Sequence, residues 1–260
     1  MSKLIFKTND LRPDISSLIE TLPMIFRKEG KLLFRDRNEV RLLVFGNQKI
    51  VVKRYKKMHF IKQILNIYRK SKARKSFENA LILIERGIST PNPIAFVEYR
   101  NSMGLLTDAY YISNYTDYNP IASALNEFGN FEHRLVKELA KFVASLHEKG
   151  IMHHDLNSTN VMFRKDNGDF HFLIIDINRM SISKDYKSPS TTKCLKNITR
   201  FSHLSDLFRY FLIEYIHARK MPIDIYDKAI AIKLLHDMNY DCKKRFTKLF
   251  KRSHHQITLK

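Results

Sequence analysis

The chain is short of the residues that would point to a disulfide-stapled or membrane-spanning protein. Cysteine occurs twice in 260 residues, at Cys194 and Cys242. The two lie far apart in sequence, so no disulfide framework or clustered zinc-ligand pattern is visible and ordinary reduced thiols are expected. Long apolar runs are absent: none exceeds the five residues of Ala80-Leu81-Ile82-Leu83-Ile84. The start, Met1-Ser2-Lys3-Leu4-Ile5-Phe6-Lys7, is too briefly apolar for a signal peptide, and the expected setting is cytosolic rather than membrane-spanning. Acidic residues are also scarce, 26 against 46 Lys plus Arg, giving a formal charge of +20. Solubility does not require so much, so the expected partner is polyanionic, either a nucleotide together with an anionic membrane surface or a nucleic acid. No RNA-binding motif or aromatic stacking signature accompanies the charge, which disfavours nucleic acid. There are no repeats or low-complexity tracts, and the length suits one compact catalytic unit.

What is present is concentrated in His153-His154-Asp155-Leu156-Asn157-Ser158-Thr159-Asn160, followed by Leu173-Ile174-Ile175-Asp176. The first stretch has the form H-x-D-L-x-x-x-N. In a phosphoryl-transfer loop of that form the Asp orients the acceptor hydroxyl and the Asn holds a metal ion, roles that Asp155 and Asn160 fit. Upstream, Phe131 to Lys149 places Leu135, Val136, Leu139, Phe142, Val143 and Leu146 at three- and four-residue spacing, an amphipathic helix closed by Gly150. Downstream, Val161-Met162-Phe163, the turn Asn167-Gly168 and Phe170 to Ile175 read as a β-hairpin that returns Asp176 to the loop. His153 is expected to be structural.

The N-terminal half alternates like a small sheet. Lys31 to Arg35, Arg41 to Phe45 and Lys49 to Tyr55 are expected strands, with Gly46-Asn47 as the tight turn, and two more follow at Ile94 to Tyr99 and Ala109 to Ser113. Alternation puts Val51, Lys53 and Tyr55 on one face. Lys53, in Val51-Val52-Lys53, is suited to reach ATP phosphates from a rigid strand; the bland alternative is a solvated basic strand end with Arg54, Lys56 and Lys57. Ser76 to Arg86 reads as a helix ending at Gly87, and its Glu78 either pairs with Lys53 or satisfies Arg74 or Lys75 nearby. Five strands and one helix then make a small ATP lobe. Ser113-Asn114-Tyr115 follows the fifth strand, where a connector could expose Ser113 and Tyr115 to adenine. No G-x-G-x-x-G occurs; the candidate phosphate cover is Asp36-Arg37-Asn38-Glu39, with Arg37 adding a charge.

From Lys31 to Arg179 the chain resembles the lipopolysaccharide core kinases, the Kdo and heptose kinases, and it resembles the Kdo kinase branch most. Val51-Val52-Lys53, Ser76-Phe77-Glu78-Asn79-Ala80, Gly87-Ile88-Ser89-Thr90-Pro91, His153-His154-Asp155-Leu156-Asn157 and Ile175-Asp176-Ile177-Asn178-Arg179 carry the resemblance. It implies an α+β, two-lobed protein-kinase-like fold: an N-terminal extension over 1–23, an ATP-binding lobe over 24–113 with a five-stranded antiparallel sheet and one main helix, and a mostly helical catalytic lobe over 114–260. It also implies transfer of the γ-phosphoryl of ATP to a sugar hydroxyl, Kdo on lipid A, at the cytoplasmic membrane face. On this resemblance Asp155 is the base, Asn160 and Asp176 are Mg²⁺ ligands, Lys53 is the phosphate anchor and Glu78 its partner. Arg179 or His154 could bind acceptor anions.

Several departures from the protein-kinase pattern accompany it. Asn157 stands in place of the catalytic-loop lysine, Ile177-Asn178 in place of Phe-Gly, and no Ala-Pro-Glu follows Ser181 to Lys196. These turn the expectation from a protein substrate to a sugar. The alternatives are a kinase for a soluble sugar or aminoglycoside-like alcohol and a catalytically inactive kinase-like protein that binds membrane or nucleic acid. Two stretches, His59 to Lys75 and Asp227 to Arg252, mix apolar residues at helical spacing with dense Lys and Arg. Each is either a membrane-facing basic helix or an ordinary surface helix. Between them Leu204, Leu207, Phe208, Phe211, Leu212 and Tyr215 form a core stripe, interrupted by Asp206 as a candidate brace for the catalytic loop.

Overall fold

A computed structural model describes residues 3–9, 15–36, 38–55, 69–126 and 129–257, without the side chains of residues 3, 243 and 245–257. The chain divides into two compact units, residues 1–118 with 173–180, and residues 119–172 with 181–260. Arg37 and the stretch 56–68, most of the first basic segment, lie outside the described residues.

The first unit is built on an antiparallel sheet of six strands, one more than expected: β1 (Lys3–Thr8), β2 (Lys31–Arg35), β3 (Asn38–Phe45), β4 (Gln48–Tyr55), β5 (Pro93–Arg100) and β6 (Leu106–Asn114), in the order β1-β5-β6-β4-β3-β2. The additional strand comes from the segment expected as an N-terminal extension, which belongs to the sheet and its core. Helix α1 (Ile15–Lys28) follows it. Its buried residues Ile15, Leu18, Ile19, Leu22 and Phe26 fall at three- and four-residue spacing and pack on Leu43, Ile50, Val52, Val97, Tyr110 and Ile112. Pro23, inside α1, has no N–H to offer the Ile19 carbonyl; Tyr99 Oη donates to that carbonyl instead, at 2.6 Å.

Helix α2 (Lys72–Glu85) covers the opposite face, with Ala73 and Phe77 against Tyr55, Phe96 and Ala109. Ser71 caps its start by accepting from Arg74 N at 3.0 Å. At its end Gly87, with φ +64°, lets Ile88 N reach Leu83 O at 2.8 Å, a Schellman closure. Because alternate β4 residues face opposite helices, Ile50 and Val52 are core under α1 while Lys53 shares the α2 face with Tyr55.

The second unit is mostly helical, as expected: α3 (His133–Glu148), α4 (Thr191–Ile198), α5 (Asp206–Ala218) and α6 (Ile225–Ile257) among the described residues. The stripe on α3, including Leu135, Leu139, Val143 and Leu146, is buried, as are Leu207, Phe208, Phe211, Leu212 and Tyr215 of α5, which packs on α3. A short strand, β7 (Ile151–His153), leaves α3 through Gly150 at φ +70° and opens the loop that carries Asp155. The hairpin β8 (Val161–Asp166) and β9 (Asp169–Ile174) turns at Asn167 and Gly168, both with positive φ. Asp206 is exposed in the first turn of α5 rather than turned to the core, where a carboxylate complements the helix dipole.

Candidate active site

In the first unit, the Lys53 ammonium donates to Asp176 Oδ1 at 2.5 Å and lies 5.4 Å from the centre of the Tyr55 ring. Tyr55 is itself fixed. Ser76 Oγ donates to Lys72 O at 3.0 Å, so the Tyr55 hydroxyl donates to Ser76 Oγ at 2.8 Å, and burial pushes the Tyr55 phenol well above its usual range. Asp176 sits at φ 55°, ψ 43°, a left-handed conformation that costs a non-glycine residue about 1–3 kcal/mol and persists where its surroundings impose it. They do so here through four bonds. Ile174 N donates to Ser89 O at 3.0 Å, Thr90 Oγ1 to Ile174 O at 2.8 Å, Asn79 Nδ2 to Ile177 O at 2.7 Å and Asn178 Nδ2 to Asp176 Oδ1 at 2.6 Å.

The expected Lys53–Glu78 pair is not formed. Glu78 accepts from Lys70 at 2.7 Å and Arg74 at 2.9 Å. Burial alone would raise its pKa, but those two cations hold it below the usual carboxylate range. The reason is local: Arg74 lies one helical turn before Glu78, and an i,i+4 neighbour is reached more cheaply than a lysine on another element. Asn79, beside it in sequence, makes the bond to the Asp176 segment. Ser113 is buried in β6, paired with Val51, while Tyr115 is exposed just beyond the strand, under Lys49 at 5.8 Å.

In the second unit, Asp155 and Asn160 share one loop. Asn160 Nδ2 donates to Asp155 O at 2.8 Å, which orients the amide. Asn157 Oδ1 accepts from Thr159 N at 3.0 Å, Thr159 Oγ1 at 2.7 Å and Asn160 N at 3.1 Å, an Asx turn that shapes the loop. Asp155 N donates to His153 Nδ1 at 3.1 Å, and His153 is buried, in the structural role expected of it. The Asp155 side chain is 34% exposed and open to a solute, with Arg200 Nη1 at 3.4 Å. His154 Nε2 is 2.9 Å from Ser181 Oγ.

A brace for this loop escaped the sequence reading. Asn197 Nδ2 donates to His153 O at 2.8 Å, so Asn197 Oδ1, 3.0 Å from His147 Nε2, accepts from that ring nitrogen. His147 is therefore the Nε2–H tautomer, and its Nδ1 accepts from Tyr215 Oη at 2.7 Å. Burial pulls the His147 pKa down to about 4, keeping the ring neutral. The sequence signal was present: His147 continues the Val143 and Leu146 stripe of α3, where a histidine needs partners. Asn197 had no such signal.

Hard oxygens are the donors that a divalent cation of the Mg²⁺ type takes, commonly one or two protein oxygens plus substrate phosphates. The Asp176 carboxylate and Asn160 Oδ1 are of that kind. Among the described residues no group of three or more His, Cys, Asp or Glu gathers into a self-contained metal cage.

The model of the lipopolysaccharide kinase (Kdo/WaaP) family matches residues 26–208, more than half of the chain. No curated protein is matched by the sequence. Among solved structures, WaaP in complex with acyl carrier protein aligns with a TM-score of 0.61 at 15% identity, covering 93% of this chain and 98% of that chain, a likeness of fold. The kinase domain of PknI from Mycobacterium tuberculosis aligns with a TM-score of 0.40 at 13% identity, over 65% of this chain and 68% of that chain. The chain belongs to the lipopolysaccharide kinase (Kdo/WaaP) family, with its kinase-like α+β fold and its ATP-dependent phosphorylation of the lipopolysaccharide core.

Proposed function

We propose that the acceptor is a hydroxyl of Kdo on lipid A, and that the base which receives it is Asp155. Family membership supports a core-sugar acceptor, and the observation that carries the assignment of the base is the state of the Asp155 carboxylate. It is one-third exposed on a loop whose backbone is tied down by His153 and Asn160. Phosphoryl transfer asks for positioning and charge neutralisation more than for covalent chemistry. Asp155 accepts a hydrogen bond from the acceptor hydroxyl and takes its proton late, as the new O–P bond forms and the bond from the γ-phosphorus to the β-bridging oxygen breaks, leaving ADP. Lys53, aimed by β4 and Tyr55, binds the ATP phosphates. Asp176 and Asn160 are each assigned as Mg²⁺ ligands by residue type, and the ion would supply neutralisation of phosphate charge. Ser113 and Tyr115 are assigned to adenine.

Contact with an anionic membrane surface belongs to the same proposal, because the acceptor is a lipid. Leu234, Leu235 and Met238 of α6 are 46%, 60% and 65% exposed within about one turn, and the sequence beyond them runs through Lys243-Lys244-Arg245, Lys248 and Lys251-Arg252. No helix among the described residues is long and apolar enough to cross a membrane, so the contact would be interfacial.

Mass spectrometry of Kdo-lipid A after incubation with the protein and Mg-ATP tests the acceptor. A single added phosphate on the Kdo residue is expected. Transfer to soluble amino sugars with none to Kdo-lipid A would replace this reading with a small-molecule kinase, and transfer only to heptose-bearing core would move the acceptor along the oligosaccharide.

A further inference from the structure

Asn157 occupies the loop position at which protein kinases carry a lysine, and its side chain is spent on the turn over Thr159 and Asn160. The cation beside Asp155 comes from elsewhere in the same unit. Arg200 Nη1 stands 3.4 Å from Asp155 Oδ1 and 3.4 Å from the His154 carbonyl.

The base of that arginine is fixed. Asn197, three residues before it, holds the His153 carbonyl at 2.8 Å. Thr199, its neighbour, presents its carbonyl to Lys233 Nζ at 2.9 Å. Lys233 is an unusual anchor, a lysine only 1% exposed, held by Asp237 at 2.6 Å and lying 5.2 Å from the Phe208 ring centre. A buried ammonium stripped of its partners is costly, so the Thr199 carbonyl that it holds is firmly placed.

The head of Arg200 is the opposite. Its side chain is 52% exposed, and both contacts are longer than the roughly 2.7–2.9 Å of a charge-assisted hydrogen bond. A guanidinium rooted in a rigid segment and weakly held beside a carboxylate is set up to exchange that carboxylate for a better anion, which it can grip with two parallel N–H donors.

The geometry points to Arg200 as a specificity-determining residue that takes a carboxylate or phosphate oxyanion of the sugar acceptor and thereby sets the acceptor hydroxyl against Asp155. The inference rests on the reading of Asp155 as the residue that meets that hydroxyl. An anion that displaces Asp155 from Arg200 lies within a few ångströms of the base, on the acceptor and not on the nucleoside.

The test compares Arg200→Ala and Arg200→Lys with wild type in the full chain, using Mg-ATP and three acceptors: the native core lipid, the same lipid with its sugar carboxylates reduced to alcohols, and the same lipid stripped of phosphates. Arg200→Ala should raise the acceptor KM about tenfold or more on the native lipid while leaving the ATP KM within about twofold, with partial recovery in Arg200→Lys. On one of the two modified acceptors wild type and Arg200→Ala should become equal, which names the anion. An equal loss on all three acceptors would overturn the proposal, as would a fall in kcat at unchanged acceptor KM. A fall in melting temperature in both variants, with no difference between acceptors, would make Arg200 merely structural. If wild type ignores Kdo-lipid A and phosphorylates a heptose-extended core, the Kdo reading fails and the same comparison on that core still decides the role of Arg200.

Discussion

At the residue scale the proposed chemistry rests on groups held at their bases. Lys53 is fixed by a strand and an aromatic ring, and Asp176 by a left-handed backbone that four side-chain and main-chain bonds impose. Glu78 belongs to a different set. Its pairs with Lys70 and Arg74 are half-exposed and worth about 0–1 kcal/mol each, a local arrangement that Arg74, one turn before it on the same helix, could already suggest. The sequence named Lys53, Asp155, Asn160 and Asp176 because the roles proposed for them are suggested by short motifs. It named Glu78 as the partner of Lys53 where the structure gives Asp176, because two carboxylates of equal charge compete and only distance decides. Asp155→Ala should lower kcat by about 10²–10⁴ while ATP affinity stays within about twofold by equilibrium titration. Lys53→Met should instead weaken ATP binding. Unaltered turnover in Asp155→Ala would remove that residue from the mechanism.

At the scale of elements, the loop that carries Asp155 and Asn160 is positioned by helices outside it. The line Tyr215 to His147 to Asn197 to the His153 carbonyl runs through α5, α3 and α4, and each member uses the donor or acceptor that its neighbour lacks. It makes stability pH-dependent. The folded His147 pKa of about 4 is below the ordinary value of 6.5, so the unfolded chain binds the proton more readily. The stability that the neutral ring contributes is complete above pH 6.5 and is lost as pH falls towards 4, about 3 kcal/mol in all. Denaturant titrations at intervals from pH 7 to pH 4 should show this decline, and His147→Gln should flatten it. A wild-type midpoint constant over that range would refute a buried neutral His147. Helix α3 was legible from its three- and four-residue apolar spacing, and the hairpin from Asn167-Gly168. The brace was not, because a buried asparagine and an exposed one look alike in sequence.

At the scale of the whole molecule the excess of 46 basic over 26 acidic residues bears on where the protein works. Each Lys or Arg near an anionic lipid surface contributes about 1 kcal/mol, attenuated over a Debye length of about 10 Å at 0.1 M salt. Binding to vesicles rich in phosphatidylglycerol should therefore fall steeply as salt rises from about 0.05 to 0.3 M, following that screening. Leu235→Glu combined with Met238→Glu should weaken it at low salt by removing exposed apolar surface of α6. Equal binding to neutral and anionic vesicles, or indifference to salt, would discard the interfacial role. At this scale the sheet shows where composition was misleading: the first strand lies in a stretch that read as an extension, because edge strand β1 is mostly exposed and its pairing to β5 is a long-range event.

The sequence alone determined the reaction class, since a loop of the form H-x-D-L-x-x-x-N, a strand lysine and a hairpin ending in Asp are local patterns whose chemistry follows from residue type and spacing. It also determined the helices with strong stripes and the turns that need Asn or Gly. Only the tertiary structure decided which carboxylate holds Lys53, which asparagine braces the loop, and which arginine stands by Asp155. Those choices join residues far apart along the chain, and contact at that range is set by packing, to which neither propensity nor periodicity gives access.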